Sequence, residues 1–170
     1  MKIRKVWAMP NKYTFQIKPF HETINRYLGP GFWIDPFLGR SPFKDKMTAT
    51  NDLNPEMGAQ FQMDSLSFLQ VFEDNQIDGV LFDPPYSPRQ VTECYKGIGL
   101  KATTKDTQAR FWGDLKKEIG RIVKPGGKVI SLGWNSGGMG KSNGFKQVEI
   151  VLCAHGGWHN DTILTVEEKR

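Results

Sequence analysis

Ile77-Asp78-Gly79-Val80-Leu81-Phe82-Asp83-Pro84-Pro85-Tyr86 is the stretch that decides the fold. Its first six residues form a short apolar run bounded by turn-formers, the pattern of a strand buried on both faces of a parallel sheet. The tetrapeptide Asp83-Pro84-Pro85-Tyr86 then hangs off the strand's carboxyl end, where open α/β sheets place their ligand crevice. Two successive prolines fix φ and remove two backbone donors, so the turn is stiff and its acceptors point outward. An aromatic ring beside carboxylate and carbonyl acceptors suits a planar base whose exocyclic amino group must react. The ring stacks on the base and the acceptors take the amino hydrogens.

Working upstream, Phe32-Trp33-Ile34 reads as a strand running into Asp35-Pro36-Phe37-Leu38-Gly39, an acid followed by a glycine turn that lets a ligand approach the backbone closely. Met47 to Asn51 reads as a second strand ending at Asp52, which stands 17 residues beyond Asp35. A carboxylate there can accept from both ribose hydroxyls of an adenosine, or it can cap the turn Asp52-Leu53-Asn54-Pro55. Phe61-Gln62-Met63 reads as a third short strand, and Asp64 as the N-cap of a helix over 65–72. Before all of these, Tyr13 to Ile17 alternates like a strand or extended arm, and Phe20, Ile24, Tyr27 and Leu28 recur at helical spacing up to Gly29-Pro30-Gly31.

Asp-Pro-Pro-Tyr after a hydrophobic strand, preceded by Asp-Pro-Phe-x-Gly, resembles the motif pair of the class I S-adenosylmethionine-dependent amino methyltransferases, in particular the DNA N6-adenine family. The resemblance spans Lys18 to the end of the chain. It implies a Rossmann-like α/β fold with a mostly parallel seven-stranded sheet, an antiparallel last strand and helices on both faces. It also implies S-adenosylmethionine as cofactor, touched by Lys18, Phe20, Asp35, Phe37, Gly39, Asp52 and Asp64, and Asp83, Pro84, Pro85 and Tyr86 as the catalytic tetrapeptide. Asp at the first motif position points to adenine. Arg40-Ser41 stands where the family often has a second glycine, so the loop is expected to be wider or partly closed by the arginine.

Downstream, 87–105 is polar and basic, with Arg89, Lys96, Lys101 and Lys105, and reads as a loop beside the base pocket with a helix around Val91 to Tyr95. Ala109 to Val123 is an amphipathic helix closed by Lys124-Pro125-Gly126-Gly127, and Lys128 to Trp134 is the next strand. Arg89, Lys96, Lys101, Trp134 and Asn135 are the candidate substrate contacts. A terminal hairpin runs from Phe145 through the turn 155–160 to Val166. His155 and His159 have no third ligand nearby, so a polar hairpin tip that brings Trp158 to substrate is favoured over a metal site.

With 170 residues, 38% of them hydrophobic, one domain with its own core is expected, without a separate target-recognition domain. Cys94 and Cys153 lie far apart and lack paired spacing, which argues against zinc or a disulfide framework. Neither a membrane span nor a signal peptide is visible, so a cytoplasmic protein is expected. The net charge of +5 favours a polyanionic partner. The expected activity is methyl transfer to adenine N6 in DNA, duplex or single-stranded, with a homodimer or a specificity partner as the source of site recognition and a phage or restriction-modification setting. The alternatives are RNA adenine or protein-glutamine methylation, and a non-catalytic nucleic-acid-binding partner subunit.

Overall fold

The computed structural model describes residues 1–170. In chain order the elements are β1 (Lys2–Trp7), α1 (Lys18–Tyr27), β2 (Trp33–Asp35), β3 (Ala49–Thr50), α2 (Ser65–Gln70), β4 (Ile77–Phe82), α3 (Pro88–Gly97), α4 (Thr104–Thr107), α5 (Ala109–Ile122), β5 (Val123–Gly133), β6 (Phe145–Ala154) and β7 (Thr162–Lys169). One seven-stranded sheet has the order β1-β6-β7-β5-β4-β2-β3. β7 is antiparallel to both its neighbours, and every other pairing is parallel. The carboxyl ends of β1, β2, β4, β5 and β6 therefore share one rim.

Two apolar layers hold the sheet. On one face Phe68 and Leu69 of α2 and Leu115, Ile119 and Ile122 of α5 pack on Ile34, Val80, Phe82 and Val129. On the other, Phe20 and Ile24 of α1 pack on Trp33, Leu81, Ile130, Val151 and Leu164. Such double coverage is what permits the continuous apolar run of β4, where only Asp78 and Gly79 interrupt it. Gly79 is required by its neighbour, because a Cβ there would lie 2.5 Å from the Trp33 ring.

Several expectations need correction. The stretch 13–17 is a 3-10 turn over Thr14–Gln16, with Phe15 and Ile17 turned into the core. Phe61 makes a single bridge to Asn51 instead of a third strand, and the second strand shrinks to two residues. The stretch 87–105 is largely helical: Ser87 accepts from Gln90 N as N-cap, Pro88 opens α3, and a Thr103–Asp106 capping box opens α4. The Lys124–Gly127 turn lies inside β5, whose pairing to β4 shifts register there.

The seventh strand is β1, at the sheet edge beside β6. Its pattern is inverted: Arg4 and Val6 face α1, while Ile3, Lys5 and Trp7 face outward. Arg4 can turn inward because it donates to Glu149, a carboxylate only 1% exposed that also binds Arg26 and Tyr27. That cluster ties the edge strand, α1 and β6 together.

Candidate active site

The Pro36–Ser41 loop after β2, the 51–54 turn after β3, Asp64 and Ser65 at the start of α2, and Asp83–Tyr86 after β4 all open onto one cleft of about 690 Å³. Its far wall is α3, through Gln90, Val91, Cys94 and Tyr95, and its mouth is crossed by Lys12–Phe15. The sequence motifs thus converge because their strands end on the same rim.

On the loop side, Asp35 is fully buried and its Oδ1 accepts from Phe37 N at 3.0 Å. Oδ2 has no partner at all. Burial pushes the carboxyl well above its ordinary range, against the Phe37 N–H, and the nearby Asp83 and Asp52 raise it further. Asp35 itself is not among the residues that line the cleft: it lies beneath the Pro36–Ser41 loop, with Oδ2 as a buried acceptor that the protein leaves unpaired. Asp52 fixes the loop: its Oδ2 accepts from Gly39 N at 2.7 Å and its Oδ1 from Asn54 N at 2.8 Å, which leaves a second lone pair on each oxygen. Gly39 has φ +48°, the left-handed conformation that glycine adopts without strain. Asp64 caps α2 through Oδ1, which accepts from Leu66 N and Ser67 N, and it also lines the cleft.

Sequence reasoning passed over Asn51. It is 1% exposed, and its side chain donates to Pro36 O and Met63 O and accepts from Met63 N, which ties the Pro36 loop and the segment ahead of α2 to the end of β3. The only available signal was its place at a strand end.

At the Asp83–Tyr86 turn, Tyr86 Oη donates to Asp83 Oδ1, and the Thr14 hydroxyl lies close enough to help hold the Asp83 carboxyl down. Burial pushes Asp83 up to about 6, with these two groups opposing it. Tyr86 is held protonated, first by burial and then by the adjacent carboxylate. The Pro85 carbonyl accepts from Trp112 Nε1 at 2.8 Å, and Tyr86 N donates to Gln90 Oε1 at 2.6 Å. α5 and α3 therefore set the turn from both sides. Pro84 is buried at the cleft wall, and its carbonyl accepts no hydrogen bond within the protein. The Tyr86 ring meets Trp134 edge-on, with centroids 5.7 Å apart. Thr14, Gln90 and Trp112 carried no sequence signal, since each works through a tertiary contact.

Other expected contacts lie elsewhere. Phe20 is fully buried in the core under α1, and Lys18 is out in solvent opposite Glu22; neither lines the cleft. Lys12, Tyr13 and Thr14 stand where those two were expected. Arg40 is exposed at the cleft mouth. Arg89 is exposed on α3 and paired with Glu93, Lys96 is exposed on the same helix, and Lys101 is exposed beyond it; none lines the cleft. Asn135 is exposed next to Trp134 and accepts from Gly137 N. His155 is buried between Ala8 O and Thr162 Oγ1, and His159 is exposed.

No family model matches the sequence, and neither does any curated protein. Solved structures do. TrmN from Thermus thermophilus superposes with a TM-score of 0.59 at 17% identity over 88% of this chain, which spans about half (48%) of TrmN's length. The 1,6-didemethyltoxoflavin-N1-methyltransferase of Burkholderia thailandensis, solved with S-adenosylhomocysteine, gives 0.57 at 12% identity, covering 89% of this chain and 77% of that one. A SAM-dependent methyltransferase from Archaeoglobus fulgidus gives 0.62 at 10% identity, covering 89% and 92%. With its strand order, its single reversed strand and its covered faces, this chain has the Rossmann-like methyltransferase fold.

Proposed function

We propose that the chain is an S-adenosylmethionine-dependent methyltransferase acting on the N6 amino group of adenine in DNA. The observation that carries the reading is the Asp83–Tyr86 turn. A carboxylate and an unengaged Pro84 carbonyl lie beside a tyrosine ring, in the same cleft as a glycine loop built over an unpartnered buried carboxylate. Asp35 fits the cofactor's ammonium, Asp52 and Asp64 its adenosine, and Phe37 and Gly39 the wall between. The cofactor supplies a methyl group on a sulfonium, ready for direct displacement. The remaining work falls to the protein: Tyr86 stacks on the adenine, and Asp83 and Pro84 O accept the two amino hydrogens, which turns the nitrogen lone pair toward the methyl. No covalent enzyme intermediate is required.

Incubating the protein with methyl-labelled S-adenosylmethionine and, in parallel, duplex DNA, single-stranded DNA and RNA, followed by nucleoside mass analysis, tests this. N6-methyladenine from DNA is expected. Label in RNA alone, or in protein alone, would replace the substrate. Absence of cofactor binding would remove the enzyme reading.

A further inference from the structure

Three tryptophans stand on the same rim as Asp83 with their rings in water: Trp134 is 42% exposed, Trp7 64% and Trp158 completely. Large exposed aromatic groups that share one rim, instead of scattering singly over the surface, are candidates for a binding surface. Their places follow from the sheet. Trp134 comes directly after Gly133, which pairs with Ile163, and Trp7 pairs with Ala154. Trp158 is carried by the turn after Ala154, which leans on Trp7, since a Cβ on Gly156 would lie 3.7 Å from Trp7 Nε1. β5, β7, β6 and β1 are successive neighbours, so Trp134 and Trp7 are about three strand spacings apart, roughly 14 Å. The row begins at the cleft, because Trp134 touches Tyr86.

The segment leaving β1 follows the same rim. Ala8 bonds to Ala154 and His155, and four residues on, Lys12 reaches the cleft mouth with Tyr13 and Thr14. Lys5, on the outward face of β1 with Trp7, and Lys12 are both exposed, and neither takes part in an ion pair. The acid closest in the chain to Trp158 is Asp161, whose Oδ1 is occupied by His155 N.

We propose that this row holds the unpaired nucleotides flanking the target adenine, so that the substrate is single-stranded nucleic acid. Bases stack on Trp134, Trp158 and Trp7, and phosphates meet Lys5 and Lys12. The proposal rests on the reading of the cleft as an adenine methyltransferase site. Indole faces can stack only on bases whose own faces are free, which a duplex does not offer. Cations without an acidic partner along the same rim, Lys5 beside Trp7 and Lys12 over the Tyr13 ring, on a chain of net charge +5, suit a polyanion and oppose a second copy of the chain.

Anisotropy titrations of the full chain, saturated with S-adenosylhomocysteine, would compare a labelled single-stranded oligodeoxynucleotide with its duplex. Tighter binding of the single strand is expected. Trp158→Ala and Trp7→Ala should each weaken it about five- to a hundredfold, while Trp158→Phe keeps most of the affinity. S-adenosylhomocysteine affinity and melting temperature should stay at wild-type values. Wild-type binding by both alanine variants, equal affinity for duplex, or a dimer that Trp158→Ala disperses would each overturn the proposal. Should the alanine variants also methylate like wild type while Asp83→Ala does not, the row is refuted and the cleft reading stands. If the wild type methylates no nucleic acid, the cleft reading fails and the row falls with it.

Discussion

At the scale of single residues, two carboxylates set the pH behaviour, Asp35 fully buried and Asp83 partly so. Asp83 accepts an amino hydrogen most strongly when ionised, and burial places its titration at about 6. Methyl transfer is therefore expected to rise with pH through about 6 and to level off above 7, measured as kcat/KM across pH. The same shift has a stability consequence of opposite direction. A carboxyl whose folded-state value lies above its unfolded one contributes stability below the unfolded value and loses it as pH rises through the folded value. From the ordinary 3.8 to about 6, the loss is of order 2–3 kcal/mol. Asp83→Asn, which keeps the shape, is thus expected to raise the melting temperature at pH 7.5 by several degrees while slowing transfer; unchanged melting would contradict the burial cost. Asp35 is also raised well above its ordinary range, by burial first, and is paired only with Phe37 N, so it must lose a proton to meet an ammonium. S-adenosylhomocysteine affinity should tighten as pH rises, and Asp35→Asn should weaken it and flatten that dependence, as read by titration calorimetry.

Among the elements, those with a regular apolar period were legible in the sequence, and those held by tertiary polar contacts were not. β4, α5 and the β6–β7 hairpin follow from apolar runs and punctuation, and both signature loops fall at strand ends as expected. β1 escaped because its inward positions are Arg4 and Val6, and a strand with an arginine facing in looks like no strand until Glu149 is placed beneath it. α3 was seen only in part because its inner face lines a cleft instead of a core, leaving Val91 as its one buried residue. The resemblance points Lys18 and Phe20 at the cofactor, but the helix that carries them turns Phe20 into the core and Lys18 into solvent. Two predictions belong at this scale. Glu149→Ala strips Arg4, Arg26 and Tyr27 of their shared acceptor, and should cost about 2–3 kcal/mol and release β1, visible as lost amide protection over 2–7. Trp112→Phe removes the donor on Pro85 O and should lower kcat about tenfold with S-adenosylhomocysteine affinity unchanged, as expected of a residue that positions the turn.

For the whole molecule, the parallel sheet brings residues separated by nearly fifty positions to one rim, and this is why the order of two short motifs predicts a site. The rest of that rim, where Trp134, the hairpin tip and the end of β1 line up beside the cleft, depends on which strand neighbours which. The sequence could not show it while β1 was unseen. The most direct test of the account is single-turnover methyl transfer to an adenine-containing oligonucleotide, with wild type and Asp83→Ala compared at equal cofactor occupancy. The account predicts N6-methyladenine from the wild type and a loss of about 10²–10³ in rate for the variant. Equal rates for the two proteins, or methyl groups on any other atom, would contradict it.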